Sequence, residues 1–278
     1  MRAFLRPCTI LVLLAAASRG QSTIPAEGAP RSDSATVFQA TLGETGARTA
    51  EVSTQEMRQI LAARSATVFD SRPHLEYAIG HIPGAVNVAA KPGVEMAKYV
   101  SDVAEIGRVL GNRKDVPVVL YCNGPFCEKS KRLSDELLAS GYTNVRRYQL
   151  GMPVWRALGG IGQIERDGAS LVARSDRSAV WIDVRPSEEF SKGSLPGARS
   201  VPRGLVLAGK DTGELKKAKN DGRLPMNDHN TRIIVFGNVA DDARFVTEQL
   251  AREAFHNVTF FAGTVTELQE ATGPVASR

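Results

Sequence analysis

The chain has 278 residues, 42% of them hydrophobic and 23% charged, which suits a globular protein large enough for about two domains. Its 35 basic and 30 acidic residues give a net charge of +5, but three basic residues and no acidic ones lie within the first 20 positions. The remainder carries 32 basic against 30 acidic residues, and no basic stretch is interleaved with aromatic residues. We therefore expect no nucleic-acid partner.

The first 20 residues have the pattern of a secretory signal peptide. Arg2 and Arg6 precede an apolar run at residues 10–17, and small residues follow this run. Because crossing a bilayer takes about 20 apolar residues, we expect no stable membrane insertion. The pattern predicts a signal peptide at residues 1–20 and a periplasmic or secreted mature protein. Residues 21–50 are rich in Gly, Ala, Ser, Thr and Pro, and we interpret them as a linker.

A cysteine lies between a predicted strand and a predicted helix. Residues 118–121 are apolar and indicate a buried strand, whereas residues 128–140 carry leucines at helical spacing. The loop between them begins at Cys122 and contains Asn-Gly-Pro. In such a loop the backbone N–H groups and the helix dipole favour negative charge, and so favour a thiolate. We interpret Cys122 as a nucleophile activated by backbone amides and not by a histidine base; the alternative is an inert buried thiol.

A second cysteine lies five residues further on. Without the signal peptide, Cys122 and Cys127 are the two cysteines that remain. Two cysteines so close together do not make a structural disulfide framework, and they indicate either chemistry or a small local disulfide. Cys127 is a resolving thiol, half of a resting disulfide, or a small packing residue, and the sequence leaves these alternatives open.

The chain contains an internal repeat. Residues 67–88 and 180–201 share an Asp-x-Arg-Pro segment, a glycine and a Pro-Gly turn at a constant offset, and the apolar stretch 118–121 matches 233–236. Each copy alternates short apolar strands with helices. This pattern predicts an α/β fold of two tandem domains, each a parallel sheet with helices on both faces.

The repeat also sets the predicted domain boundaries. We place the first domain at residues 51–160 and the second at residues 161–278. In such sheets the reactive loop follows the carboxyl end of a strand, which is where Cys122 lies. The second copy has Gly237 at the matching position, so the first domain is predicted to be the active one.

Several short motifs occur together in a recognisable order. Asp70-x-Arg72, Gly80-His-Ile-Pro-Gly-Ala, a strand that ends in Tyr-Cys122, and Gly151-Met-Pro-Val-Trp together resemble the rhodanese family. Each motif alone is weak, but the set covers residues of both copies. The resemblance implies two tandem rhodanese-like domains and the activity of a sulfurtransferase.

The resemblance implies a persulfide mechanism. Sulfane sulfur would move from a donor such as thiosulfate onto Cys122, and then to a thiol or cyanide acceptor. Asp70 and Arg72 would be structural support, and neither a cofactor nor a metal ion is implied. The histidines also lack zinc-type spacing with the cysteines. The implied cradle around the transferred sulfur consists of Asn123, Gly124, Pro125, Phe126, Cys127, Glu128 and Lys129.

Two departures from the family pattern affect this expectation. The second copy lacks the cysteine and places Asp241 and Asp242 where an anion would bind, so we predict that it forms no persulfide. The first loop is about two residues longer than the family pattern, in which an arginine or threonine closely follows the cysteine. Lys129 is the candidate for that cationic role.

Three other functions are alternatives to sulfur transfer. The first is a thiol–disulfide redox protein that uses the Cys122/Cys127 pair. The second is a non-enzymatic binding module in which the second copy docks a protein partner. The third, a cysteine phosphatase, is excluded because Glu128 stands where such enzymes need an arginine for phosphate.

Overall fold

The computed structural model describes residues 46–89, 102–125 and 127–273. The predicted signal peptide and all but the last five residues of the predicted linker lie outside these ranges. Within them, no helix combines the length and apolar character needed to cross a membrane.

The first half of the described chain forms a five-stranded parallel sheet. Its strands are β1 (Ala50–Glu51), β2 (Thr67–Asp70), β3 (Val86–Asn87), β4 (Val118–Tyr121) and β5 (Val145–Tyr148). Its helices are α1 (Thr54–Ala63), α2 (His74–Ala78), α3 (Asp102–Val109), α4 (Glu128–Ala139) and α5 (Gly151–Ala157). The strand order is β1-β5-β4-β2-β3, and every pairing is parallel.

Alternation along β4 divides the core of this sheet into two clusters. Val119 and Tyr121 belong to one cluster with residues of α1 and α5, whereas Val118 and Leu120 belong to another with residues of α3 and α4. Because successive strand residues point to opposite faces, the helices cover both faces of the sheet. The predicted layer arrangement is therefore confirmed for this copy.

The second half repeats the same topology. Its strands are β6 (Gly162–Ile164), β7 (Val180–Asp183), β8 (Arg199–Ser200), β9 (Ile233–Phe236) and β10 (Val258–Phe261), in the order β6-β10-β9-β7-β8. Its helices are α6 (Arg166–Ser175), α7 (Ser187–Ser191), α8 (Gly213–Asn220), α9 (Ala240–Arg252) and α10 (Val265–Thr272), with a 3-10 helix at Arg203–Leu205. Each strand has the sheet position of its counterpart five places earlier, which confirms the duplicated α/β fold.

A buried ion pair ties together the carboxyl ends of β2 and β4. The Asp70 carboxylate receives Arg72 Nη2 at 2.6 Å and the Tyr121 hydroxyl at 2.6 Å. Arg72 also donates to Gly80 O, and the Tyr121 hydroxyl accepts from the N–H of Ile82. Burial lowers the pKa of Arg72, but the hydrogen bonds and charge of Asp70 outweigh it, so the pKa lies above its ordinary value. The network thus holds Tyr121, the residue directly before Cys122.

The second copy keeps this network with one exchange of donors. Asp183 again pairs with its arginine, but Phe236 replaces Tyr121 and has no hydroxyl to donate. Instead Ser194, at the place of His81, donates its hydroxyl to Asp183 Oδ2 at 2.7 Å. After this exchange, a hydroxyl group donates to the buried aspartate in both copies. Because Tyr121 supplies that hydroxyl in the first copy, His81 is not needed as a donor and contacts the second domain.

His81 joins the two domains. Its backbone N–H and carbonyl pair with Gln163 of β6 in an antiparallel bridge, with N···O distances of 3.0 and 2.9 Å. The imidazole stacks on Tyr77 at 3.8 Å and lies 3.5 Å from Glu165, and its side chain is only 1% exposed. Burial lowers the pKa of His81 to about 4. The neutral imidazole is therefore part of the domain contact.

Protonation of His81 should lower the stability of the protein in mild acid. Its pKa of about 4 in the folded chain lies below the unfolded value of about 6.5, so the unfolded state binds more protons between these pH values. The free energy of unfolding should decrease by up to ~3 kcal/mol as the pH falls from 6.5 to 4. Urea unfolding across this pH range should show that the free energy of unfolding of His81→Ser depends less on pH than that of the wild-type protein. An identical dependence in both proteins would contradict the assignment.

Removing the hydroxyl of Tyr121 should destabilise the first copy. The variant Tyr121→Phe leaves Asp70 with one donor fewer and the Ile82 N–H without an acceptor, which should cost about 1–3 kcal/mol. A matched control is Tyr142→Phe, because Tyr142 is also a buried tyrosine but lies outside this network. Chemical unfolding should show a clear loss for the first variant and little change for the control; equal effects would argue against the network.

Candidate active site

Cys122 lies directly after β4, at the carboxyl edge of the first sheet, and is 3% exposed. The chain turns at Gly124, whose φ of +105° favours glycine, and reaches α4 with Cys127 as the N-cap. The first backbone N–H groups of a helix have no intrahelical acceptor, and here the side chain of the N-cap residue makes no capping hydrogen bond to them. The geometry places the sulfur of Cys122 beside a helix N-terminus that favours negative charge.

Gly151 supports the base of this loop. Its φ is +62°, and a Cβ at this position would lie 2.3 Å from Gly124 N and 2.4 Å from Cys122 O. The next residue, Met152, donates its backbone N–H to Cys122 O at 3.2 Å. Any side chain at position 151 would therefore displace the loop. Sequence reasoning quoted this glycine as part of a motif but missed its contact with the cysteine, which involves backbone atoms remote in sequence.

Cys122 and Cys127 form a disulfide. Their Cα atoms are 6.2 Å apart, which is ordinary for a disulfide. Cys122 is buried, whereas Cys127 is partly exposed at the start of α4. Of the three alternatives for Cys127, the structure thus contains the local disulfide, and it brings the two Sγ atoms within bonding distance.

The rest of the predicted cradle is only partly directed at the cysteine. The Asn123 side chain is exposed and donates to a carboxylate oxygen of Glu76. The backbone N–H of Cys127 donates to Gly124 O at 3.0 Å, and Pro125 has no N–H. In the disulfide form, therefore, several atoms of the predicted cradle have other partners or no hydrogen to donate.

The cation predicted for this site has an acidic partner. Lys129 Nζ lies 3.6 Å from an oxygen of Asp102, and both side chains are partly buried. Burial raises the pKa of Asp102, although the charge of Lys129 opposes this effect. Glu128 is exposed in the first turn of α4, and Phe126 lies outside the described residues. The local charge at the start of α4 is therefore mixed and not strongly positive.

The corresponding position in the second copy has less room. A Cβ on Gly237 would lie 2.9 Å from Cγ2 of Val184, whereas the first copy has the smaller Ser71 at the matching position. The hydrogen bond from Asn123 to Glu76 has an equivalent from Asn238 to Glu189 at 3.3 Å, although the loop is shorter.

The start of α9 is acidic. Asp241 and Asp242 lie in its first turn, and an oxygen of Asp242 is 3.8 Å from Nε of Arg203. Among the described residues, no group of three or more His, Cys, Asp and Glu side chains is arranged to hold a metal ion. The cysteine loop of the first copy is therefore the candidate active site.

Comparisons with known proteins agree with the duplicated fold. The family pattern described as Rhodanese-like domain matches residues 53–158 and 168–271. A Mycobacterium tuberculosis protein (strain CDC 1551 / Oshkosh), provisionally named thiosulfate sulfurtransferase SseB, is 29% identical over 221 residues, which span 64% of this chain and 76% of the relative.

Solved structures show a more distant likeness. One is SseA from Escherichia coli, described as a 3-mercaptopyruvate sulfotransferase, which is 23% identical to this chain. The match covers 78% of this chain and 98% of SseA, with a TM-score of 0.34. A thiosulfate sulfurtransferase from Pseudomonas aeruginosa is 22% identical, with a TM-score of 0.32; the match covers 77% of this chain but only 43% of that one. Because the family pattern matches both halves of the chain, the protein belongs to the rhodanese-like domain family and carries two copies of that domain.

Proposed function

We propose that the protein is a sulfurtransferase that carries sulfane sulfur as a persulfide on Cys122. The observation that carries the proposal is the position of this cysteine, at the end of β4 and beside the uncapped N-terminus of α4. The name of the Mycobacterium tuberculosis relative supports the same class of reaction. A sulfur donor such as thiosulfate and a thiol or cyanide acceptor complete the proposed reaction.

The first half-reaction loads the cysteine. The Cys122 thiolate attacks the outer sulfur of thiosulfate, a bond forms between the two sulfur atoms, and sulfite leaves with the electron pair of the broken bond. Backbone N–H groups near the start of α4 stabilise the anionic donor and the persulfide, because hydrogen bonds to fixed donors strengthen where charge collects. The Met152 N–H, which donates to Cys122 O, helps to hold the loop, and Gly151 leaves the space that this close approach needs.

The second half-reaction returns the thiolate. A thiolate or cyanide attacks the outer sulfur of the persulfide, and Cys122 leaves as a thiolate that the helix N-terminus again stabilises. Sulfur therefore passes through the protein in two displacements, which predicts ping-pong kinetics. The disulfide must first be opened by a reductant, because a bonded Cys122 has no free thiolate.

The proposal places the reaction outside the cytoplasm. The apolar run at residues 10–17 after two arginines is its support. An exported protein meets an oxidising environment, in which the Cys122–Cys127 disulfide would be stable unless a reductant acts on it.

Thiol–disulfide exchange is the second candidate function. The observation that favours it is the Cys122–Cys127 disulfide itself. In this alternative the two cysteines exchange electrons with a partner thiol, and no sulfur atom is carried. The two candidates differ in their dependence on Cys127, because only exchange needs both thiols.

Substitution of each cysteine in turn should separate the two functions. With reduced protein, thiosulfate and cyanide, Cys122→Ser should lower the rate of thiocyanate formation about 1000-fold or more, since it removes the nucleophile. Cys127→Ser should retain most of that rate, because transfer to cyanide needs only the thiol of Cys122, and serine keeps the N–H that donates to Gly124 O.

Circular dichroism of both variants controls for folding. Equal loss of activity in two folded variants would contradict the sulfurtransferase proposal and favour disulfide exchange.

A further inference from the structure

We propose that Cys127 resolves the persulfide on Cys122, so that the protein releases the carried sulfur as sulfide and is left as the Cys122–Cys127 disulfide. This inference rests on the proposed function, since it needs a persulfide on Cys122. The carried sulfur then leaves in reduced form: the product is hydrogen sulfide, and the co-reactant that restores the thiols is a dithiol.

The disulfide identifies which sulfur atom Cys127 attacks. The Sγ atom of Cys122 becomes the inner sulfur of the persulfide, and this is the atom to which Cys127 Sγ is bonded in the structure. The loop therefore permits the approach of Cys127 to the inner sulfur. Attack there expels the outer sulfur, whereas attack on the outer sulfur would only move the persulfide to Cys127.

The step balances without another reactant. The Cys127 thiolate forms a bond to Cys122 Sγ, the bond between the inner and outer sulfurs breaks, and the outer sulfur leaves as HS⁻ with that electron pair and its own proton. Two thiol sulfurs are oxidised to a disulfide while the sulfane sulfur is reduced to sulfide. A dithiol then supplies two electrons and two protons, which reopens the disulfide and leaves the dithiol oxidised.

The position of Cys127 favours this attack over attack by an external thiol. Cys127 is the N-cap of α4, a helix of 12 residues, and the helix dipole stabilises its thiolate. Its N–H donates to Gly124 O at 3.0 Å, which holds the turn that connects the two cysteines. A nucleophile tethered five residues away acts at an effective concentration that is high, on the order of millimolar or above.

The second copy offers an internal comparison. There Gly237 stands at the position of Cys122, and Val239 is the N-cap of α9 as Cys127 is the N-cap of α4. The two cysteines are therefore present together in one copy and absent together from the other. This distribution fits a pair that works as a unit.

The test is a single turnover of reduced protein with thiosulfate, after removal of the reductant under exclusion of oxygen. Wild-type protein should release about one sulfide per chain, without added thiol or cyanide, in line with the stoichiometry of thiol–disulfide exchange. Its intact mass should then show the loss of two hydrogens and no retained sulfur. Cys127→Ser should instead retain one added sulfur on Cys122 and release no sulfide until a thiol is added.

Cys127→Ala serves as a second variant, because it removes any nucleophilic side chain at this position. A wild-type persulfide as long-lived as that of both variants would overturn the inference and leave the proposed function standing. Failure of Cys127→Ser and Cys127→Ala to gain sulfur, although folded, would overturn the proposed function and the inference with it. Sulfide release by the folded Cys122→Ser variant at the wild-type level would also overturn both.

Discussion

The buried carboxylate of Asp70 is the constraint on which the carboxyl edge of the first sheet depends. A buried charge is tolerated only when it is paired and its remaining oxygen lone pairs are satisfied, and here an arginine and a tyrosine hydroxyl do both. Because Tyr121 directly precedes Cys122, the same interaction fixes where the cysteine loop begins. The position of Cys122 therefore depends on this buried ion pair.

A comparison of the two copies shows which residues of this arrangement are shared and which differ. Both copies keep the buried aspartate, its arginine and the asparagine that follows the loop cysteine or its replacement. The hydroxyl that donates to the aspartate belongs to Tyr121 in one copy and to Ser194 in the other. A hydroxyl donor is therefore present in both copies, although a different residue supplies it. By contrast, Gly237 and Val184 leave less room for a thiol, and two acids follow at the start of α9. The second copy thus has the framework without the cysteine.

The Cys122–Cys127 disulfide sets a condition on the proposed activity of the first copy. A nucleophile bonded to its neighbour is unable to accept sulfur, so reduction becomes a condition for the proposed activity. In the proposed mechanism, the same proximity lets Cys127 act after sulfur has been loaded. Transfer to an acceptor and internal resolution by Cys127 would then compete for one persulfide, so the acceptor concentration would decide the product, whereas the reductant only reopens the disulfide.

The sequence by itself determined the repeat, the α/β class, the parallel sheets and the cysteine at the end of β4. It could do so because apolar periodicity and turn residues are local properties, and because the same pattern occurs twice. It also indicated that the second copy lacks a nucleophile, since Gly237 has no side chain. The two cysteines could be noted as close, but their spacing was compatible with a disulfide, a resolving thiol or simple packing.

Only the tertiary structure decided which side chains meet. The pairing of Lys129 with Asp102, the close approach of Gly151 to the cysteine loop, and the burial of His81 against the second domain each join segments distant in sequence. No spacing rule predicts such contacts, because they depend on how the helices and loops converge at the edges of the sheets. The partners of a charged or reactive group are set by that convergence, whereas the positions of strands and helices are set by local sequence.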